Sequence, residues 1–553
     1  MGGDAQRTGW VRTDPRISKD GLAKGGMQLV WKRQLEKPSG QRSPGQPVLL
    51  PNIISYKGFK ALAYVGGSSD TVYSIDYDLN RIFWQRSLGS AGASGAGCAA
   101  SSVAVTRATS LGAATPAIGG RGAGRGQGPA PAAAPGTAPA AGAPAGTAPG
   151  TPGTPPPAGN APAGIPAGAG APAPPGAPPA PAPGTPAAAA AQPPAGRGGG
   201  GGGGGRGGGN NVYAVSATGM VHALNPQTGE DVNPPAKFTG GGAKLAGAVF
   251  IDNVVYAAAV ENCGSVGSGV YAIDLADNAN TVTSWDARGA RIAGALGPAF
   301  GTDGTLYVAT GAVFVPSGTS VGDTTFANAI ISLEPRTLKV KDWFTAAAPF
   351  TSSPVVFTQG TRTLVAAANA DGSVYVLDGT SLGGADHMAP LAKTPQFSQN
   401  RDFAAGAITT WEDAGTRWIA AATSGPLAAG AKFTQGNGTV TAGGIVAFRL
   451  AGEGAATTLE PAWSSRDLAA PGGPIVLNGV LFAVSGGALD EPKGKRGRAV
   501  LYAFDAATGK DLWNSGNAMT SFVPGIPPSA GDGLVYVVTA DGTLYAFGIP
   551  LEH

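Results

Sequence analysis

The chain is poor in the residues that carry most metal and covalent chemistry: 553 residues contain 2 cysteines and 3 histidines. Cys98 and Cys263 stand far apart, which excludes a CxxC redox pair, a CxxCH haem attachment and zinc-finger spacing. With only His222, His387 and the terminal His553, a histidine triad or a histidine metal cage lacks material. Charged residues amount to 13%, the formal net charge is +3, and no Lys/Arg run is interleaved with aromatics, so no nucleic-acid partner is expected. No window offers the roughly 18 consecutive apolar residues of a membrane span, so no transmembrane segment is expected. There is no P-loop and no nucleophile elbow; the glycine run near residue 200 is low complexity.

What is plentiful is glycine and proline, 91 and 47 residues, and much of both falls in one stretch. Residues 108–210 are Ala, Pro and Gly with a few polar residues, and the only charges are Arg121, Arg125, Arg197 and Arg206. Such a composition builds no packed core, and its X-Pro bonds favour extended conformations. The segment is expected to be a disordered, weakly cationic insertion. It divides one domain formed by residues 1–107 and 211–550. The closing Leu551–His553 reads as a tag remnant.

Outside that stretch, short β-rich runs alternate with Gly/Asn/Asp turns. "LYAFDAATGKDLWNSG", Leu501 to Gly516, sets the pattern: Tyr502 in one strand, Asp505, Thr508 and Gly509 in a tight turn, and Trp513 in a second strand. "VYSIDYDLNRIFW" keeps the same steps from Tyr73 to Asp76 and from Asp76 to Trp84. Degraded copies include "MVHALNPQTGEDV", "AIISLEPRTLKVKDW" and "SVYVLDGTSLGG", and the last, "TLYAFGIP", stops before its tryptophan. Each copy is preceded by another strand, as in "TLYVATG" or "VLFAVSGG", and by a short apolar stretch such as "SPVVFT" or "GPIVLN". Eight such units predict an all-β fold, an eight-bladed β-propeller of four-stranded antiparallel blades. The eighth unit lacks an outer strand. "MQLVWKRQL" with Trp31 supplies it, so that an N-terminal strand completes the last blade and the ring closes without a long free edge.

These phrases resemble the repeats of pyrroloquinoline quinone (PQQ) dehydrogenases and related quinoprotein-like propellers. The opening "GGDAQRTGWVRTDPRISKDGLAKGGMQLVWK" is similar to the lead-in of such proteins. The resemblance implies that Trp31, Trp84, Trp285, Trp343, Trp463 and Trp513 dock between neighbouring blades and are structural. It leaves the function open, because the family holds both catalysts that bind PQQ and calcium and non-catalytic propellers that scaffold outer-membrane assembly.

In the family, the active-site face carries the turns from the outermost strand to the next innermost one, and those from the second strand to the third. The first set here places Arg42, Lys244, Arg288, Arg291 and Arg401 near the axis. The second brings Lys432 and "EPKGKRGR" against Glu261, Asp323, Asp490 and Glu491. A basic mouth of this kind suits an anion, and PQQ, with three carboxylates, is one such anion. Arg42, Lys244, Arg291 and Arg401 are therefore the candidate cofactor-binding residues. Glu261 and Asn262 are the candidate metal ligands should calcium be bound, and Asp323 or Asp402 the candidate base. Cys98 and Cys263 fall at turns on that face in neighbouring blades. A disulfide is the favoured reading, ahead of a metal pair or two separate buried thiols.

The leading expectation is a monomeric binding or scaffold propeller, periplasmic or extracellular with its leader removed, that takes a small anionic ligand or a protein partner. The alternative is a PQQ- and calcium-dependent alcohol or polyol dehydrogenase that passes electrons to a separate acceptor.

Overall fold

Each copy of the repeat closes as a hairpin for a local reason. Asp505 Oδ1 accepts the amides of Ala507 and Thr508 at 2.9 and 3.0 Å, Gly509 takes a left-handed φ of 70°, and strands Val500–Asp505 and Asp511–Asn514 run back antiparallel. In the computed structural model of the chain, the described residues are 4–12, 14–37, 43–55, 58–89, 103–109, 111, 211–263, 265–313, 326–400, 405–487, 489–490 and 495–549. All of them fall in one unit, Met1–Gly122 with Gly207–His553.

The strands group into eight antiparallel blades. Blade one is Val48–Ser55, Gly58–Gly66, Thr71–Asp76 and Arg81–Ser87. In blade two, Ala104–Arg107 pairs directly with Val212–Val215, and the Ala/Pro/Gly stretch between them lies outside the described residues. Met220–Leu224 and Ala236–Lys237 complete that blade. Blades three to seven follow in chain order. Blade eight joins Ser529–Gly531, Leu534–Val538 and Thr543–Gly548 to the N-terminal strand Gln28–Gln34, which is the expected closure.

The ring is held by eight apolar clusters, one in each joint between neighbouring blades. Leu62, Tyr64 and Val72 of blade one meet Val212, Ala214 and Leu224 of blade two, and Trp31 and Tyr536 of blade eight meet Ala63 and Ile75 of blade one. Strands are apolar on both faces because each blade is covered on both sides. In four blades a β-bulge comes immediately before the repeat tryptophan. The extra residue is Val30, Phe83, Ala462 or Leu512, next to Trp31, Trp84, Trp463 and Trp513. A bulge re-aims the side chain that follows it, here toward the next blade.

The lead-in does more than begin the closing strand. Its carbonyls feed the innermost strands of successive blades: Ala5 O accepts from Phe300 N, Gln6 O from Val356 N, Thr8 O from Thr410 N and Gly9 O from Val476 N, each at 2.9 Å. Trp10–Val11 then pairs in parallel with Ile475–Leu477 as a fifth strand of blade seven. A short helix, Lys19–Gly25, capped by Ser18, carries the chain outward to blade eight and is anchored by a Lys19–Asp505 ion pair of 2.9 Å. Residues 5–9 thus line the inner strands of blades four to seven.

Candidate functional site

Three of the sequence-selected residues meet at the joint between blades three and four. The main chain brings them together: Val260 N donates to Lys244 O and Ile292 N donates to Val260 O, both at 2.9 Å. Lys244 precedes the inner strand Leu245–Ile251, Glu261 follows the second strand Val254–Ala259, and Arg291 lies in Ala290–Ile292 at the start of blade four. Lys244 Nζ stands 3.3 Å from Glu261 Oε1, while Arg291 Nη2 pairs with Oε2.

One carboxylate is therefore flanked by two cations. The Glu261 side chain is 17% exposed, while those of Lys244 and Arg291 are 45% and 52% exposed, so solvent reaches the cations more than the carboxylate. Partial burial works to raise the Glu261 pKa, but Lys244 and Arg291 outweigh it and hold the carboxyl below its ordinary value. Arg288, on the same run of chain, packs its guanidinium over the Phe326 ring at 5.2 Å.

The neighbouring turn is built on local hydrogen bonds. Asn262 Oδ1 accepts the Ser268 amide at 2.7 Å, and Cys263 and Val266 exchange main-chain bonds of 2.8 and 3.0 Å. Cys263 is buried and disulfide-bonded, and the chain's other cysteine, Cys98, lies outside the described residues. Arg42, Arg401, Asp323 and Asp402 also lie outside them.

PQQ and calcium, which the fold class implies for some members, make different demands on this cluster. Both Glu261 oxygens are engaged by cations and Asn262 Oδ1 caps a turn, so as placed the pair does not fit a calcium ion. Among the described residues no group of three or more His, Cys, Asp or Glu could hold a metal ion. The exposed faces of Lys244 and Arg291 do fit a carboxylate.

One buried cation had no signal in the repeats. Arg7, 2% exposed, donates through Nε to Pro298 O at 3.2 Å and through Nη2 to Gly247 O at 2.7 Å, tying the lead-in to blades three and four. Burial pulls its pKa down to about 10, against the raising effect of Asp4. It lies in a segment that has no repeat partner, so period and pattern could not locate it.

Eight four-stranded antiparallel blades, bulged outer strands and interblade tryptophans define an eight-bladed β-propeller. Residues 497–549, the end of blade seven and all the C-terminal strands of blade eight, match the family model described as outer membrane protein assembly factor BamB. The quinohemoprotein alcohol dehydrogenase from Comamonas testosteroni is similar with a TM-score of 0.52 and 15% identity, over 100% of this chain and 80% of that one. Quinohemoprotein alcohol dehydrogenase ADHIIG from Pseudomonas putida HK5 gives 0.50 and 12%, over 99% and 80%. No curated protein matches the chain by sequence. At these identities the likeness is one of fold.

Proposed function

We propose that this propeller is a binding or scaffold protein whose Lys244–Arg291 pair receives a small anion bearing carboxylates. The observation that carries the reading is the pairing of two cations, Lys244 and Arg291, with the single carboxylate of Glu261, their side chains 45% and 52% exposed. A guanidinium and an ammonium on either side of one carboxylate suit the two oxygens of one carboxylate or two carboxylates of one ligand. The disulfide at Cys263 suits a periplasmic or extracellular setting.

A second reading, a PQQ-dependent alcohol dehydrogenase, draws support from the fold likeness to the two quinohemoprotein alcohol dehydrogenases. PQQ is itself a tricarboxylate, so the same cations would grip it, and Asp323 or Asp402 would supply the base. When bound, the quinone would accept the electrons removed from an alcohol.

Calorimetric titration with PQQ and with citrate, each with and without calcium, together with dye reduction over an alcohol panel, separates the two readings. Binding of either anion without turnover, weakened about tenfold or more by Lys244→Glu or Arg291→Glu, supports the binding protein. Calcium-dependent turnover with PQQ would replace it by the dehydrogenase. Anion binding that ignores both charge reversals would remove this cluster from either account.

A further inference from the structure

Three of the nine tryptophans have no place in the repeat, and all three pack at the joint between blades six and seven. Trp411 and Trp418 stand opposite each other on the first two strands of blade six, Ile408–Asp413 and Thr416–Ser424, with their rings stacked 5.7 Å apart. Blade five fills the same two places with Phe357 and Leu364, which pair in the same register. Trp10, from the lead-in, packs against the same cluster.

The third strand of blade six, Gly443–Ala451, departs from the repeat at the same level. Leu62 stands opposite Asp76 and Leu364 opposite Asp378, but Trp418 stands opposite Arg449. The aspartate that closes the repeat hairpin is thus replaced by a cation. Those aspartates are paired within the chain, Asp76 with Lys60, Asp378 with Arg362 and Asp505 with Lys19. Arg449 has no such partner: its guanidinium lies 5.5 Å over the Trp418 ring, and its Nε is buried without a hydrogen bond. Glu460, its neighbour in register, is exposed and forms no ion pair among the described residues.

Two more arginines reach this end of blade six. Arg12 is exposed and lies 4.6 Å over the Trp10 ring, and no described carboxylate pairs with it. Arg417, over Trp10 at 5.8 Å and Phe357 at 5.4 Å, is already satisfied by Glu412 at 3.0 Å and Thr358 O at 3.1 Å. A guanidinium held over an aromatic ring keeps its in-plane N–H donors for a carboxylate. Trp418 lies near the start of a second strand and Arg449 near the end of a third, so both are at the opposite end of the ring from Glu261, which follows a second strand.

We propose that this end of blade six is a docking site for an acidic peptide segment of a partner protein, whose carboxylates pair with Arg449 and Arg12. The charge complementarity comes from the repeat itself. Other blades place a side-chain carboxylate and a cation together here, whereas blade six places the cation alone, so the carboxylate comes from outside the chain. Tryptophan and arginine are also the side chains that contribute most at protein interfaces.

The test uses the full chain and a dye-labelled hexaglutamate peptide, with hexaglutamine as the control, in fluorescence anisotropy at low and moderate salt. Hexaglutamate should bind, hexaglutamine should not, and the affinity should fall as salt rises. Arg449→Asp, which restores the residue of the repeat, should weaken binding about tenfold or more, and Arg12→Gln should weaken it to a smaller extent. Arg449→Asp should leave citrate binding at Lys244 and Arg291 unchanged, and Lys244→Glu should leave hexaglutamate binding unchanged, so the two sites fail independently. If Arg449→Asp does not fold, Arg449→Gln takes its place, with circular dichroism as the check on folding. No binding of hexaglutamate, or binding that ignores both arginine variants, overturns the proposal. So does Arg449-dependent binding of phosphatidylserine–phosphatidylcholine vesicles without binding of the peptide.

Discussion

The Trp84 indole of blade one lies against Gly229 in the turn of blade two. A Cβ on Gly229 would stand 2.7 Å from the ring, and Trp84 Nε1 donates to Pro226 O of the same turn at 2.9 Å. Trp463 repeats the arrangement at the joint between blades six and seven, with Nε1 donating to Ala506 O at 3.0 Å over Gly509. Both glycines have left-handed φ, 75° and 70°, so the residue that closes one hairpin also seats the tryptophan of the blade before it.

Gly229→Ala should therefore destabilise the fold by about 1–3 kcal/mol, since the added methyl meets an aromatic ring and the backbone disfavours a side chain. Trp84→Phe, which loses the Pro226 bond with less change in bulk, should cost about 1 kcal/mol. Denaturant midpoints measured for both variants check the order of the two effects.

Arg7→Met should cost about 3 kcal/mol, because it leaves the carbonyls of Pro298 and Gly247 without their charged donor inside the ring. The loss should appear as faster hydrogen exchange at Phe300 and Val356, whose amides donate to the neighbouring Ala5 and Gln6. Unchanged exchange there would mean that the lead-in is held without its arginine.

Glu261→Gln should raise the affinity for citrate or PQQ, since it removes a carboxylate that competes for Lys244 and Arg291 and repels the anion. The gain should shrink as salt rises, because the cations are about half exposed. Titrations at low and moderate ionic strength measure both effects.

Asp505 and Glu261 should both make the fold less stable in acid. Burial works to raise the Asp505 pKa, but Lys19 and the turn donors outweigh it and hold the carboxyl below its ordinary 3.8. A folded pKa that is depressed gives stability above the unfolded value that is lost as pH falls through the folded one. Asp505→Asn and Glu261→Gln should each flatten the acid limb of the stability curve below about pH 4, as denaturant midpoints measured across that range check.

The architecture was legible because the repeat writes its own punctuation. The step from Asp505 to Trp513 equals that from Asp76 to Trp84, and a hairpin needs only local residues to form. The meeting of Lys244, Glu261 and Arg291 was half legible: each could be placed on the same face by counting strands. Their pairing depends on the Lys244–Val260–Ile292 run of main-chain bonds, which joins segments about 50 residues apart and follows from the packing of blades. Glu261 and Asn262 read as metal ligands by residue type, whereas their oxygens in the folded chain are taken up by cations and an amide.

The sequence by itself determined the number of blades, their four strands and the N-terminal strand that closes the ring, because strand period and turn chemistry are local properties. Only the tertiary structure decided which turn receives each tryptophan, that residues 5–9 line the inner strands of four blades, and that Trp10 joins Trp411 and Trp418 at one joint. Those relationships join residues from different blades, and what fixes them is the geometry with which the blades close into a ring.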